Sequence, residues 1–228
     1  MAAVTTLEET YLRARERIER AAARADRQPS SVRLVVVGKG RLVPELHALY
    51  ELGQRDFGEN RAHELVAKAE QLPSDSRWHF VGPLQTNKVR AVRPLVTLLH
   101  SLDRDSLAAA WMKGPGMPPP ALCQVNIGRE PQKHGIEPDQ VSTAVERMLA
   151  MGVQLRGLMA IPPQTREAEG ARPYFRQLAR LGAELSATLP VGGELSMGMS
   201  DDFEVAIEEG ATVIRLGRAI FPIPSSGS

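Results

Sequence analysis

Short apolar runs alternate along the chain with longer stretches in which apolar residues recur every three or four positions. The run at 34–37, inside the segment RLVVVGK, has four successive apolar residues, which is typical of a strand buried on both faces. Later segments of the same character recur at regular intervals. The eight predicted strands span 33–39, 55–60, 77–82, 96–103, 121–128, 154–162, 193–199 and 212–221.

The stretches between these strands have the apolar spacing of helices. A further helix precedes the first strand, with Thr5 or Thr6 as its cap, and it is predicted to end at about Asp26. Glu8 and Glu9 would then lie near the positive end of its dipole. The other predicted helices span 43–52, 62–72, 87–96, 104–112, 138–152, 171–189 and 200–210.

Eight strand–helix alternations predict an α/β protein with parallel strands. In a chain of 228 residues they favour a single closed (β/α)8 TIM barrel with an extra N-terminal helix. An open, doubly wound sheet is the alternative, although no GxGxxG motif follows the first strand. We expect one domain over 1–228, with an ordered core at about 5–222 and a flexible tail at 223–228.

Composition narrows the class of protein. The net charge of +1 gives no large field that would attract nucleic acid or a membrane surface. The single cysteine, Cys123, excludes a disulfide within the chain and lies in an apolar run, so we expect an inert core residue and a reducing compartment. The N-terminus resembles no signal or transit peptide, and no run is long enough to span a membrane. We therefore expect a cytoplasmic protein, and a monomer.

Lys39 is the most informative candidate for chemistry, because it follows a core strand after a single glycine. In a barrel, the carboxyl ends of the strands carry the active site. A lysine in a pocket that excludes water is more often the neutral amine, which can attack a carbonyl and form a Schiff base. The alternative is a rim lysine that extends its ammonium group into water.

A second candidate is a phosphate site near the end of the chain. Ser196, Gly198 and Ser200 come just before a predicted helix, whose N-terminus offers free N–H groups. Phosphate sites in barrels are often built after strands seven and eight, and Gly217 lies at the end of strand eight. Alternatively, the segment from Ser196 to Gly217 is only a capped helix and a tight turn.

A metal site is not expected, because the segment GENRAHE does not match HExxH. His79 lies in an apolar strand and is by default a hydrogen-bonded core histidine.

Several motifs together resemble the pyridoxal phosphate (PLP) homeostasis protein family, which is similar in fold to the N-terminal barrel of alanine racemase. The motifs are VVVGKGR (35–41), FGENRAHEL (57–65), WHFVGPLQTNK (78–88), HSLDR (100–104), VNIGREPQKHG (125–135), GLMAIPP (157–163) and LSMGMSDDFEVAIEEGATVIRLGRAIF (195–221). The resemblance implies a Schiff base between Lys39 and PLP, and Arg215 facing the pyridine nitrogen. An arginine there keeps its proton and weakens the cofactor as an electron sink. The full cofactor-binding set that we expect is Lys39, Asn60, His79, Ser196, Met197, Ser200, Arg215, Gly217 and Arg218.

Three positions depart from the family pattern. Gly38 and Gly40 flank the lysine where the family often has Ser and Thr, and Arg218 follows Gly217 where Ser or Thr is frequent. The first two changes remove a hydroxyl near the lysine and loosen its loop. The third replaces a hydroxyl contact to phosphate with an arginine, which could supply a charge-assisted one.

The resemblance leaves three functional hypotheses. The first, which we favour, is a carrier that holds PLP, limits its free concentration and supplies apo-enzymes, with no robust turnover. The second is a PLP-dependent racemase or lyase of low activity. A racemase of this fold takes its second base from a tyrosine of a further domain, for which we expect no room after strand eight. Tyr11, Tyr50 and Tyr174 all lie on predicted outer helices. The third is a PLP-free barrel that binds another phosphorylated metabolite.

Overall fold

The computed structural model describes residues 6–114, 116–188 and 191–221. Eight parallel strands form one closed barrel in chain order, which confirms the predicted (β/α)8 fold and its extra N-terminal helix. The predicted tail at 223–228 lies outside the described residues. The strands are β1 Arg33–Val37, β2 Asp56–Glu59, β3 Arg77–Phe80, β4 Val96–Leu102, β5 Ala121–Val125, β6 Leu155–Ala160, β7 Glu194–Ser196 and β8 Val213–Leu216.

The helices surround the barrel, and their ends differ from the predicted ones by a few residues. The largest difference is at 87–96, where a single turn of 3-10 helix at Thr86–Lys88 leads into a short helix instead of one continuous helix. The α-helices are α1 Leu7–Arg24, α2 Val43–Glu51, α3 Ala62–Ala69, α4 Val89–Val92, α5 Asp105–Met112, α6 Val141–Ala150, α7 Arg172–Thr188 and α8 Phe203–Glu208.

The extra helix α1 begins as predicted, at a capping box. The Glu9 N–H donates to Thr6 Oγ1 at 3.2 Å, and the Thr6 N–H donates to Glu9 Oε2 at 2.8 Å. The helix packs on α8, where Arg17 pairs with Glu204 at 2.8 Å and its guanidinium covers the ring of Phe203. This helix therefore covers the outer face of the barrel beside the last strand.

Two separate sets of apolar residues form the core. The larger set lies between the strands and the helices and includes Cys123, which is fully buried. Burial raises the pKa of its thiol to about 12, so the expectation of a core cysteine is confirmed. The smaller set consists of Leu98, Leu122 and Met159 inside the barrel. Buried polar side chains, among them His79, His100 and Ser196, also lie inside the barrel, whereas barrel cores are mostly filled by branched apolar side chains.

Within the described part of the chain, no helix has the length and apolar character that crossing a membrane requires. The same residues contain no cluster of His, Cys, Asp and Glu side chains able to hold a metal ion. The three tyrosines lie on the outer helices α1, α2 and α7, as predicted.

Candidate cofactor site

A cavity of about 360 Å³ opens at the carboxyl ends of the barrel strands. It joins the ends of β1, β2, β3, β6 and β8, which is where TIM barrels carry their active sites. The structure brings six of the predicted site residues together in its lining: Lys39, Asn60, Ser200, Arg215, Gly217 and Arg218. The remaining lining residues are Val37, Arg41, Val81, Ile161, Met199 and Phe221.

Lys39 lies in a turn just beyond β1, because the strand ends at Val37 rather than at 39. Its side chain is exposed, and it makes no hydrogen bond or ion pair with the residues that the structure describes. The turn itself is well held: the Gly38 N–H donates to the Gly58 carbonyl and the Arg41 N–H to the Gly38 carbonyl, both at 2.9 Å. The amine is therefore unengaged on a fixed backbone at the cavity mouth.

An ion-pair cluster of Glu59, Glu64 and Lys68 braces this turn from the outer side of the barrel. Lys68, on α3, donates to Glu59 at 2.6 Å, to Glu64 at 3.1 Å and to the Gly38 carbonyl at 2.7 Å. Glu64 also accepts the Gly40 N–H at 2.8 Å. The two glycines beside Lys39 are thus each held by one member of the cluster.

The cluster occupies the space that a side chain at position 38 would need. A Cβ atom at this position would lie 2.9 Å from Glu59 Oε1 and 3.1 Å from Leu46 Cδ2. The missing side chain leaves that space to the buried Glu59 carboxylate. Gly40 has a φ of +68°, a conformation that glycine adopts at little cost. Sequence reasoning missed Lys68, although its spacing of four residues from Glu64 is a helical ion-pair signal.

The turn after β8, the strand next to β1, offers the cavity groups suited to binding an anion. The Arg218 N–H donates to no acceptor in the described part of the chain, while Ser200 Oγ accepts the Ala219 N–H at 3.1 Å and keeps its own proton available. The Arg218 side chain pairs with Asp201 at 2.5 Å, and both are largely exposed. Helix α8 begins only at Phe203, and Asp202 accepts the Met199 N–H at 2.6 Å. The turn, more than the helix, therefore shapes this side of the cavity.

Arg215 and Asn60 are the other two polar residues of the predicted set that line the cavity. Arg215 is buried, donates to Ser196 Oγ at 2.5 Å and to the Ala160 carbonyl at 3.1 Å, and has further N–H groups to offer. Burial lowers the pKa of its guanidinium to about 10, which leaves it charged at neutral pH. Asn60 Oδ1 is buried without a partner among the described residues. An amine, a cation and free donors therefore converge on one cavity, and this set fits an aldehyde that carries a phosphate and a ring nitrogen.

The structure does not bring His79, Ser196 and Met197 to the cavity. His79 and Ser196 point into the barrel below it, and both are almost fully buried. Met197 points the other way and packs in the core between strands and helices, because successive residues of a strand alternate between its faces. The default expectation of a hydrogen-bonded core histidine at position 79 is confirmed, since its ring bonds to Asp56 and His100.

Asp56 should make the stability of the fold depend on pH. Burial alone would raise the pKa of its carboxyl, but hydrogen bonds from His79 and Arg77 outweigh burial and lower it from 3.8 to about 2. A depressed folded-state pKa contributes stability that is present above pH 3.8 and lost as the pH falls through about 2. We expect Asp56→Asn to lower the free energy of unfolding by about 2 kcal/mol at neutral pH.

Urea unfolding of both proteins at neutral pH and near pH 2.5 measures this difference. The gap between wild type and Asp56→Asn should narrow at the acid end, because the wild-type carboxyl begins to take up its proton there. A gap that stays constant between the two conditions would show that the Asp56 charge contributes no net stability.

Comparison with known proteins gives a consistent result over most of the chain. A family model described as alanine racemase, N-terminal domain, matches residues 12–223. The pyridoxal phosphate homeostasis protein of Aquifex aeolicus (strain VF5) is 42% identical over 221 residues, covering 93% of this chain and 96% of the relative.

Solved structures agree with this result. PipY of Synechococcus elongatus PCC7942, solved with PLP bound, is 34% identical with a TM-score of 0.76, covering 90% of this chain and 99% of that one. The crystal structure of an unknown protein from Bifidobacterium adolescentis is 32% identical with a TM-score of 0.88, covering 94% of each chain.

Proposed function

This chain belongs to the pyridoxal phosphate homeostasis protein family, and from that premise we propose that it binds PLP as a Schiff base on Lys39 and acts as a carrier of the cofactor. The observation that carries the proposal is the position of the Lys39 amine, which has no partner among the described residues and shares its cavity with free anion donors on the turn after β8. The PLP bound to PipY, a relative of the same fold, supports the choice of ligand.

Each part of the cavity has a distinct task in this proposal. The Gly217–Arg218 backbone and Ser200 bind the phosphate, since free N–H groups and a hydroxyl are the donors that such oxygens accept. Arg215 faces the ring nitrogen, and Asn60 lies beside the ring. When bound, the cofactor supplies an aldehyde that reacts reversibly with amines, so release to another amine needs no further catalytic group.

The lining gives little support to demanding catalysis. Among the described residues that line the cavity, Lys39 is the only one with a side-chain amine, and the others are arginine, amide, hydroxyl, glycine or apolar groups. A racemase needs two bases on opposite faces of its substrate. We therefore propose a cytoplasmic, monomeric carrier that passes PLP to apo-enzymes, without robust turnover.

Trapping with borohydride tests the site. The wild-type protein is incubated with PLP, reduced and digested, and the modified peptide is identified by mass spectrometry. We expect a pyridoxyl adduct on Lys39, lost in Lys39→Ala and retained in Lys88→Ala, which removes another exposed lysine outside this cavity. Labelling spread over Lys88, Lys113 and Lys133, or unchanged in Lys39→Ala, would contradict the proposed site.

The same loaded protein distinguishes a carrier from an enzyme. A carrier should restore activity to an apo-enzyme while leaving free amino acids unchanged over many hours. Steady racemisation or decarboxylation of an amino acid, abolished in Lys39→Ala, would favour the enzymatic alternative instead.

A further inference from the structure

A continuous chain of hydrogen bonds crosses the barrel interior directly below the cavity. Asp56 Oδ1 lies 3.0 Å from His79 Nε2, and His79 Nδ1 lies 2.9 Å from His100 Nε2. His100 Nδ1 lies 2.8 Å from Ser196 Oγ, which accepts from Arg215 at 2.5 Å. Five side chains from β2, β3, β4, β7 and β8 are thus linked, and the last of them lines the cavity.

The chemistry of its two ends, together with two neutral imidazoles between them, fixes the direction of every bond in this hydrogen-bond chain. Arg215 can only donate, so Ser196 Oγ accepts from it, while the ionised Asp56 can only accept, so His79 carries its proton on Nε2. A neutral His79 then accepts at Nδ1 from the Nε2–H of His100. The Nδ1 atom of His100 accepts in turn from the Ser196 hydroxyl. Burial lowers the pKa of both rings, and that of His100 most strongly, so two neutral imidazoles are the expected state.

Arg215 donates one of its hydrogen bonds to this chain of side chains. Among the described residues, it donates hydrogen bonds to one hydroxyl and one carbonyl, Ser196 Oγ and the Ala160 oxygen, and neither is a carboxylate. A buried guanidinium is costly unless its donors are satisfied, and a fully satisfied polar network holds one arrangement. Since barrel interiors are usually apolar, this polar chain calls for an explanation beyond packing. The hydrogen-bond chain links the Arg215 guanidinium, through the neutral Ser196 and two neutral imidazoles, to the charged carboxylate of Asp56.

We propose that Ser196, His100 and His79 are positioning residues that hold the Arg215 guanidinium against the ring nitrogen of the cofactor. This inference rests on the proposed function, in which Arg215 faces that nitrogen. In this role the hydrogen-bond chain orients the guanidinium and does not conduct protons, because the arginine at its cavity end keeps its proton. The neighbouring interior cluster of Leu98, Leu122 and Met159 fills space without contributing to the chain.

The first test compares Ser196→Ala with Leu98→Val, a loss of similar size in the same interior that leaves the chain intact. We expect Ser196→Ala to weaken PLP binding about tenfold and to shift the absorption maximum of the lysine-bound cofactor, because the arginine loses a charge-assisted hydrogen bond. Ser196→Thr keeps the hydroxyl and should restore the wild-type spectrum. A spectrum and an affinity unchanged in Ser196→Ala, or changed equally by Leu98→Val, would overturn the inference.

The second test needs no cofactor. Nitrogen-15 NMR of the unloaded protein should show His79 and His100 both protonated on Nε2 alone, with protons that exchange slowly. In Ser196→Ala the shift of His100 Nδ1 should move, since that atom loses its donor. Protonation of either ring on Nδ1 would overturn the inference. If wild-type protein gives no Lys39 adduct, the proposed function fails first; if the adduct forms and Ser196→Ala behaves as wild type, only the present inference fails.

Discussion

Replacing Lys68 by methionine is expected to lower the free energy of unfolding by about 3–5 kcal/mol, because it leaves a buried carboxylate without its cation. Glu59 is fully buried, and Lys68 is its ion-pair partner at 2.6 Å. The second carboxylate oxygen, Glu59 Oε2, already has no partner among the described residues. Removing the ammonium group therefore leaves the Glu59 carboxylate buried without an ion-pair partner or access to water.

The same substitution should also weaken PLP binding by about tenfold, or roughly 1.4 kcal/mol. Lys68 holds the Gly38 carbonyl, and it orients Glu64, which holds the Gly40 N–H. Without these bonds the turn that carries Lys39 has more conformations to lose when the cofactor binds, since two glycines flank the lysine.

Chemical unfolding at two pH values tests whether the stability lost in Lys68→Met comes from the unpaired Glu59 carboxylate. Burial raises the pKa of Glu59 and Lys68 opposes this rise, so in Lys68→Met the carboxyl takes up a proton more readily. A carboxyl with a raised folded-state pKa contributes stability that is lost as the pH rises through that pKa. The stability that Lys68→Met loses relative to wild type should therefore be smaller near pH 5 than near pH 8.

Two further variants serve as controls. Lys88→Met removes an exposed lysine that has no ion pair with any described residue, and it should change stability by less than about 0.5 kcal/mol. The double variant Glu59→Gln/Lys68→Met removes both charges and should recover most of the loss. A Lys68→Met protein as stable as Lys88→Met would contradict the buried ion pair.

Hydrophobic pattern predicted the barrel because parallel strands covered on both faces appear as short apolar runs. Strand ends were less predictable. The predicted eighth strand, 212–221, ends at Leu216, and the Ile220 and Phe221 N–H groups turn back to the Gly217 carbonyl at 3.0 and 2.9 Å. Ile220 and Phe221 are buried in that turn, so their apolar character resembled a continuing strand.

Site residues at strand ends were predictable because barrel topology sends them all to one face. The hydrogen-bond chain inside the barrel was not predictable, because it depends on which residues of distant strands lie at the same height along the barrel axis. His100 and Ser196 are 96 positions apart and meet only when the barrel closes. Within the sequence, His79 is one polar residue in an apolar strand, and Ser196 belongs to a motif that resembles a phosphate loop.

Gly157→Ala is expected to lower the free energy of unfolding by at least about 4 kcal/mol, because the β6–β7 contact leaves no space for a methyl group. A Cβ at this position would lie 1.9 Å from the Glu194 carbonyl oxygen and 2.7 Å from two other backbone atoms of Glu194. Gly157 also has a φ of +150°, which other residues rarely adopt. Since backbone cannot rotate away as a side chain can, β7 must shift.

A shift of β7 would reach the cofactor site as well as the fold. Strand β7 has three residues, which pair with β6 along their whole length and with β8 at Ser196↔Val213, so a shift of β7 disturbs both neighbouring strands. Moving Ser196 would take the hydroxyl away from Arg215. Gly193→Ala is the matched control, because a Cβ there meets no atom within 4 Å, and it should leave stability within about 0.5 kcal/mol. Urea unfolding followed by circular dichroism compares the two, and equal stability of both variants would show that the β6–β7 backbones lie further apart than the structure places them.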